Sequence, residues 1–505
     1  MAGPIIWDEK QKVTTNRVTV DPITRLEGHG KIEIFLDDSG NVSNAYWQVP
    51  EVRGFERFCI GRKVVELNQI TARLCGVCPG AHHMASTKAI DGCYNTKPTD
   101  AAFLIRDLFY HAHFVHSHIA HFYALAAPDF VCGPAAPAAE RNVLGVVARV
   151  GLELGGAVLK ARAEAQKIQA IIGGKPTHPL MGVPGGVSKA LNKEEIKIIQ
   201  GYADNLVAFA ETSLTVFKSV VLENPEYVDI IKNPDLYHND LYNMGMVNSK
   251  NQLEFHDGPV RVTDQKGKEV TKYDPYDYLN QIAEAVEPWS YEKFPYLRKI
   301  GYKGLVAGAD SGLYRATPLG RLNVSESIST PKAQAAFEEF KALFKSLGVE
   351  GPVHFALATH WARIIEMIFA AEKVKEDAYN PNLNDANIKQ KDIVAGGRGV
   401  GCVEAPRGTL THDYTCDERG IVTSCNLVVG TTNNNGPINV DTIKIAKALI
   451  KNYEVSPGLL NMVEMAFRVY DPCNSCATHS LPGQMPLKAV IRNADGSEYQ
   501  TIVRN

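Results

Sequence analysis

Short apolar or alternating runs at Arg17 to Val20, Lys31 to Leu36 and Val42 to Gln48 surround the turn-forming Asp37-Asp38-Ser39-Gly40 and predict a small antiparallel sheet with a hairpin. The hydrophobic period then lengthens from two to 3.6. Thr99 and Asp100 cap a predicted helix to about Ala126, Asn142 opens a second that continues to the Gly173-Gly174 stop, and Asn192-Lys193-Glu194-Glu195 starts a third to about Leu222. From Leu253 to Lys272, turn signals at Asp257-Gly258 and Gln265-Lys266-Gly267 break short apolar runs into a small peripheral sheet. Helical periodicity returns at Pro331 to Leu347 and His360 to Val374. Two strand-like runs flank Asp417-Glu418-Arg419-Gly420 between Arg407 and Gly430, and helices over Val440 to Tyr453 and Ser456 to Tyr470 follow. With no internal repeat or low-complexity linker, the pattern predicts an α+β fold, mainly α with small antiparallel sheets.

Composition narrows the class. The 505 residues, 45% hydrophobic, suffice by length for several domains. With 53 basic against 56 acidic side chains and a net charge of -3, the chain lacks the electrostatic footprint of a nucleic-acid or anionic-membrane binder. The N-terminal MAGPIIWDEKQKVTTNR has no basic region followed by an apolar one, and the most apolar stretch, Asn142 to Leu159, is interrupted by Arg149 and Glu153. The expectation is a cytoplasmic chain with no export signal of its own and no direct membrane span. Ten cysteines are too sparse for a disulfide scaffold and fit a reducing compartment. Cys59, Cys93, Cys132, Cys402, Cys416 and Cys425 are expected to be buried apolar residues.

The remaining four form two CxxC clips, Cys75-Gly-Val-Cys78 and Cys473-Asn-Ser-Cys476, at opposite ends of the chain. Three readings fit them. Four thiolates suit tetrahedral zinc, although zinc clips normally lie within a few tens of residues of each other. A redox dithiol needs only one clip and leaves the second idle. A soft transition-metal centre of nickel, copper or iron can be held where two distant segments meet, and only folding of the whole unit would build it. The surroundings favour the third: His82 and His83 follow the first clip, His479 follows the second, and Asp471-Pro472 precedes it, supplying polar groups that orient ligands.

The runs Arg73-Leu74-Cys75-Gly76-Val77-Cys78-Pro79-Gly80-Ala81-His82 and Asp471-Pro472-Cys473-Asn474-Ser475-Cys476-Ala477-Thr478-His479 resemble the paired signature of nickel-iron hydrogenase large subunits. Thr24-Arg25-Leu26-Glu27-Gly28-His29, Arg53-Gly54-Phe55-Glu56, His121-Phe122-Tyr123 through Asp129, and Glu404-Ala405-Pro406-Arg407-Gly408 resemble further motifs of that family, in its order. The continuation Ser480-Leu481-Pro482-Gly483-Gln484-Met485-Pro486 resembles the cytoplasmic, bidirectional multisubunit branch.

The resemblance implies reversible oxidation of dihydrogen to protons and electrons. Cys75 and Cys473 resemble the terminal nickel ligands, and Cys78 and Cys476 the thiolates bridging nickel to an iron that carries carbon monoxide and cyanide. Dihydrogen is a very weak acid, so splitting it needs a Lewis acid and a nearby base. Glu27 resembles the carboxylate that relays the proton from Cys473. Arg407 resembles the guanidinium poised over the open metal position, with Asp129 and Asp471 as partners that fix it; being always protonated, it would polarise rather than act as a base. Pro406 and Thr431 resemble residues against the cyanides, although Gly430 stands where many relatives have proline, and His82 lies beside the cofactor. Glu56, the carbonyl of Leu427 and His479 resemble a magnesium site, oxygen donors being the ligands that ion prefers.

His111, His113, His116, His118 and His121 crowd one otherwise apolar helix, where adjacent turns bring such pairs together. Buried, hydrogen-bonded histidines are the expectation there. Residues 480 to 505 form a predicted hairpin with a turn at Asn493-Ala494-Asp495-Gly496, and the resemblance implies that a protease removes this tail after His479 once nickel is inserted. The catalytic domain would then be residues 1 to 479. The chain has no ferredoxin-type cysteine run, so electrons would leave through an iron-sulfur small subunit, then through further subunits with flavin or iron-sulfur clusters. The rivals are a hydrogen-sensing member and a metal-free electron-coupling subunit like that of respiratory complex I. Four retained thiols count against the second, and the tail against the first.

Overall fold

The computed structural model describes residues 5–51, 53–478, 487–493 and 497–504. Strands β1 (Arg17–Val20), β2 (Lys31–Leu36) and β3 (Val42–Gln48) form the predicted antiparallel sheet in sequence order. Its hairpin is closed by Asp37, whose Oδ1 accepts the backbone N–H groups of Ser39 and Asn41, each at 2.9 Å. Helix α1 (Pro79–Cys93) starts at the first clip, with Cys78 as its N-cap. No amphipathic stripe announced it, because nearly every residue is buried on all sides.

Helix α2 (Asp100–Ala120) is capped by Thr99, whose Oγ1 accepts the Ala102 N–H at 3.3 Å, and it runs on through wider π-type turns to Cys132. The helix expected from Asn142 to Gly173 is instead two, α3 (Val143–Val150) and α4 (Leu152–Gly173), because Gly151 has φ 92° and breaks the ladder. Helix α5 (Lys193–Phe217) opens with the expected Asn192/Glu195 capping box. The peripheral sheet comprises β4 (Tyr242–Met246), β5 (Val260–Thr263), β6 (Glu269–Tyr273) and β7 (Tyr314–Arg315), in the order β7-β4-β5-β6. Helices α6 (Pro331–Ser346) and α7 (Thr359–Ala378) match the second periodic region.

Three strands, rather than the expected two, make the next sheet: β8 (Gly397–Ala405), β9 (Gly408–Cys416) and β10 (Val422–Val428). Strand β8 carries Gly397, Gly399 and Gly401 where a strand signature needs bulky residues, and the packing explains this. A Cβ on Gly401 would stand 1.9 Å from the Ala85 carbonyl oxygen, so α1 lies directly on the strand backbone. Helix α8 (Asn435–Leu449) starts five residues before the expected Val440, its first turns being polar yet buried, and α9 (Pro457–Arg468) follows. A final antiparallel pair, β11 (Leu487–Arg492) and β12 (Glu498–Arg504), agrees with the expected tail hairpin, whose turn residues 494–496 lie outside the described residues.

Helices α2, α4, α5 and α7 pack together with α2 buried among them, and the main hydrophobic core draws on residues from Val18 to Cys476. The segment Lys193–Leu222 has the length and apolarity of a membrane span, but it packs against α4 and α7 as a core helix does. The six cysteines outside the clips are all free and buried.

Candidate metal centre

Local backbone brings each clip to one point. Val77 and Cys78 turn their N–H groups onto Cys75 Sγ at 3.1 and 3.0 Å, forming a cradle for sulfur at the N-terminus of α1, where the helix dipole favours negative charge. The second clip is zipped to the segment after β1. The Glu27 N–H donates to the Pro472 carbonyl at 3.3 Å and the Asn474 N–H to the Glu27 carbonyl at 2.9 Å. Gly28 is required beside this pair: its φ is 83°, and a Cβ would sit 2.9 Å from the Ser475 nitrogen. The Cys473 N–H donates to Thr431 Oγ1 at 2.9 Å.

The four sulfurs converge within 4.8 Å of one another, all buried. Cys75 and Cys473 are 3.2 Å apart, Cys78 and Cys476 3.5 Å, and Cys473 and Cys476 2.7 Å. Sulfurs bound to one ion at about 2.3 Å stand about 3–4 Å from each other, a range that holds the Cys75–Cys473 and Cys78–Cys476 pairs, while Cys473 and Cys476 stand closer. Burial works against charge throughout the cluster, yet Cys75 is held well below the ordinary thiol range by hydrogen bonds from its three neighbours and by Arg407. Burial and the neighbouring sulfurs push Cys473 well above that range.

Glu27 Oε2 lies 3.0 Å from Cys473 Sγ and accepts the Ser475 N–H at 3.1 Å. Glu27 is half-buried and, with Arg407, lines a cavity of about 820 Å³ walled by apolar residues such as Leu26, Val77, Val147 and Leu159. Arg407 is fixed by Asp471, Nη2 to Oδ1 at 3.1 Å. Burial opposes its charge, but Asp471 and the cysteine sulfurs raise it well above the ordinary guanidinium range. Its Nε and Nη1 have no hydrogen-bond partner among the described residues, leaving buried donors beside the sulfurs. Arg321 secures the turn that carries Arg407, donating to the carbonyls of Ala405 and Pro406 at 3.0 and 3.3 Å while paired with Glu366 and Glu404.

Asp129 stands elsewhere than expected. It pairs with Arg25 at 2.5 Å and Arg468 at 3.1 Å rather than with Arg407. Burial alone would raise its pKa, but the two arginines hold it at about 2. The difference follows from α9, which brings Arg468 and Asn461 to this carboxylate. His82 does reach the cluster, with Nε2 3.3 Å from Cys476 Sγ and Nδ1 3.1 Å from His412 Nε2. Glu56 is buried against Leu427, whose N–H donates to Oε1 at 2.8 Å. His479, the third member expected there, lies outside the described residues. The histidine run on α2 is buried and hydrogen-bonded as expected, with His116 to His113 at 3.1 Å, His118 to Glu366 at 2.9 Å and His121 to the Arg468 carbonyl at 2.8 Å.

Two supports were not assigned from the sequence. Arg53 donates to the carbonyls of Leu74, at 2.6 Å, and Ser475, tying the two clips together; its place in the Arg53-Gly54-Phe55-Glu56 motif was the available signal. His412 continues from His82 to the Tyr414 hydroxyl at 2.5 Å and on to Ser86 at 2.9 Å. Only the pairing of α1 with β9 reveals that chain.

Four soft donors from opposite ends of the chain, a carboxylate on one of them and an arginine beside them define a cysteine-ligated metal enzyme of mainly helical α+β fold. The family model described as nickel-dependent hydrogenase matches residues 53–144 and 314–479, and a second, described as HoxL-like, matches residues 17–52. The chain belongs to the nickel-dependent hydrogenase family, as its large subunit, and is a nickel-iron hydrogenase oxidoreductase. It is 44% identical to the iron-sulfur subunit of the F420-non-reducing hydrogenase of Archaeoglobus profundus, over 96% of this chain and 99% of that one. It is 36% identical to the beta subunit of the NAD-reducing hydrogenase HoxS of Cupriavidus necator, over 95% and 98%. Among solved structures, an NAD+-reducing [NiFe]-hydrogenase in the H2-reduced state superposes with a TM-score of 0.85 at 36% identity, covering 92% of this chain and all of that one. Both of these relatives are named as subunits of hydrogenases.

Proposed function

We propose that this chain cleaves dihydrogen reversibly and heterolytically at a nickel-iron centre, with Cys75 and Cys473 terminal on nickel and Cys78 and Cys476 bridging to an iron that carries carbon monoxide and cyanide. The observation that carries the reading is the contact of Glu27 Oε2 with Cys473 Sγ, 3.0 Å apart, within a buried four-sulfur cluster beside Arg407. When bound, the metal pair supplies the Lewis acid that polarises dihydrogen. Cys473 Sγ receives the proton and passes it to Glu27 Oε2, which stands between the buried sulfurs and the cavity. The unpartnered Nε and Nη1 of Arg407 stabilise negative charge at the cluster, and cyanide is an acceptor that would satisfy them. Pro406 and Thr431 would lie beside the same ligands, and His82 Nε2, 3.3 Å from Cys476 Sγ, would orient that sulfur.

The apolar cavity ends at Leu152 and Leu159, which are 84% and 70% exposed. We place an iron-sulfur subunit over this rim, so that electrons leave near Glu27. Subunits beyond it, with flavin or iron-sulfur clusters, set the acceptor. A magnesium ion held by Glu56, the Leu427 carbonyl and His479 would brace the C-terminal end, and the tail after His479 would be removed on maturation. A full-length chain in active enzyme, read by intact mass, would refute the last point.

The test is hydrogen-dependent dye reduction by the purified complex. Activity that disappears in Cys473→Ser supports the reading. Unchanged activity in that variant contradicts it.

A further inference from the structure

The dihydrogen chemistry uses none of the α2 histidine run, and one of its members stands beside two acids. His111 lies one helical turn after Asp107, and both meet Asp377 near the end of α7. One ligand atom from each of these three buried residues lies within 4.8 Å of the other two. His111 Nδ1 is 3.5 Å from Asp107 Oδ1, and His256 Nδ1 approaches the same oxygen at 3.0 Å. His256 is itself fixed by stacking on Phe103, with ring centroids 4.8 Å apart. Asp377 Oδ2 is buried and has no hydrogen-bond partner among the described residues, and neither has His111 Nε2.

Two carboxyl groups in one dry pocket must share a proton, pair with a cation or hold a metal. Lys373, one turn before Asp377, is the nearby cation; its Nζ donates to Glu376 at 3.0 Å, and its charge also acts on Asp107 and Asp377. Glu254 is a further, half-buried acid beside Asp107. Ligands at about 2.0–2.2 Å from one ion stand up to about 4 Å apart, so a small contraction of the trio makes a three-point metal face. We propose that Asp107, His111 and Asp377 form a second metal site, separate from the cysteine centre, with His256 fixing Asp107. Two carboxylates and one imidazole suit zinc, ferrous iron or manganese rather than the soft ions that the thiolates select. Bound there, the ion would staple α2 to α7.

The test is manganese binding to the purified complex after chelation, followed by electron paramagnetic resonance. The wild-type complex is expected to take up one equivalent whose affinity falls at least tenfold in Asp377→Asn. The amide keeps the shape of the protonated acid, and metal-free melting checks that the variant folds. If it does not accumulate, His256→Gln, expected to weaken binding about tenfold, replaces it. Absence of manganese and zinc binding in the wild type overturns the proposal. So does uptake unchanged in the variant, since an ion held at Glu56 would be indifferent to Asp377.

Discussion

Among the described residues Glu27 is the one carboxylate bonded to a sulfur of the cluster, and its backbone is paired to the second clip on both sides, so its position is set by the same bonds that place Cys473. Removing its charge while keeping its shape isolates the relay. Glu27→Gln should lower hydrogen oxidation by about 10²–10⁴-fold, the usual worth of a positioned general base, with nickel content unchanged. Arg407→Lys should retain metal yet lose about 10²-fold in turnover, because a lysine ammonium lacks the planar fork that serves Asp471 and the cluster at once. The four cysteines were legible as metal ligands from spacing and residue type alone, and the resemblance to the family decided between zinc and a nickel-iron centre. Arg53 and His412 were not, because their roles consist of contacts to residues hundreds of positions away.

Among the elements, strands and helices marked by alternation, caps or turn signals were legible and those without such local marks were not. The first sheet and the capped helices α2 and α5 carry alternation or capping chemistry that is local to the chain. Helix α1 and strand β8 were missed for one shared reason: they are pressed backbone to backbone, so the helix shows no stripe and the strand carries glycine. Cys78 is the N-cap of that same helix. Gly401→Ala, whose new Cβ would meet the Ala85 carbonyl oxygen at 1.9 Å, should therefore destabilise the chain by about 3 kcal/mol and reduce nickel occupancy together. Chemical denaturation and metal analysis of the same preparation check both. The break at Gly151 was invisible for the opposite reason, since a glycine inside a periodic run is tolerated as often as it ends a helix.

The whole molecule carries an acid sensitivity built from its buried histidines. Burial lowers His83 and His118 from 6.5 to about 4, so the unfolded chain binds their protons before the folded one does. Their contribution is complete above pH 6.5 and is lost as pH falls toward 4, at roughly 1.4 kcal/mol per group per pH unit. Asp129, held at about 2 by Arg25 and Arg468 against burial, adds a further loss below its unfolded value of 3.8. Melting temperature should therefore fall steeply below about pH 6 and change little from pH 7 to 8. A flat profile down to pH 4 would contradict this. Infrared spectroscopy of the purified complex reads the assembled centre itself. Stretching bands of metal-bound carbon monoxide and cyanide are expected, lost together with nickel in Cys473→Ser; metal-replete protein without those bands, or with zinc alone on the four thiolates, would contradict the nickel-iron reading.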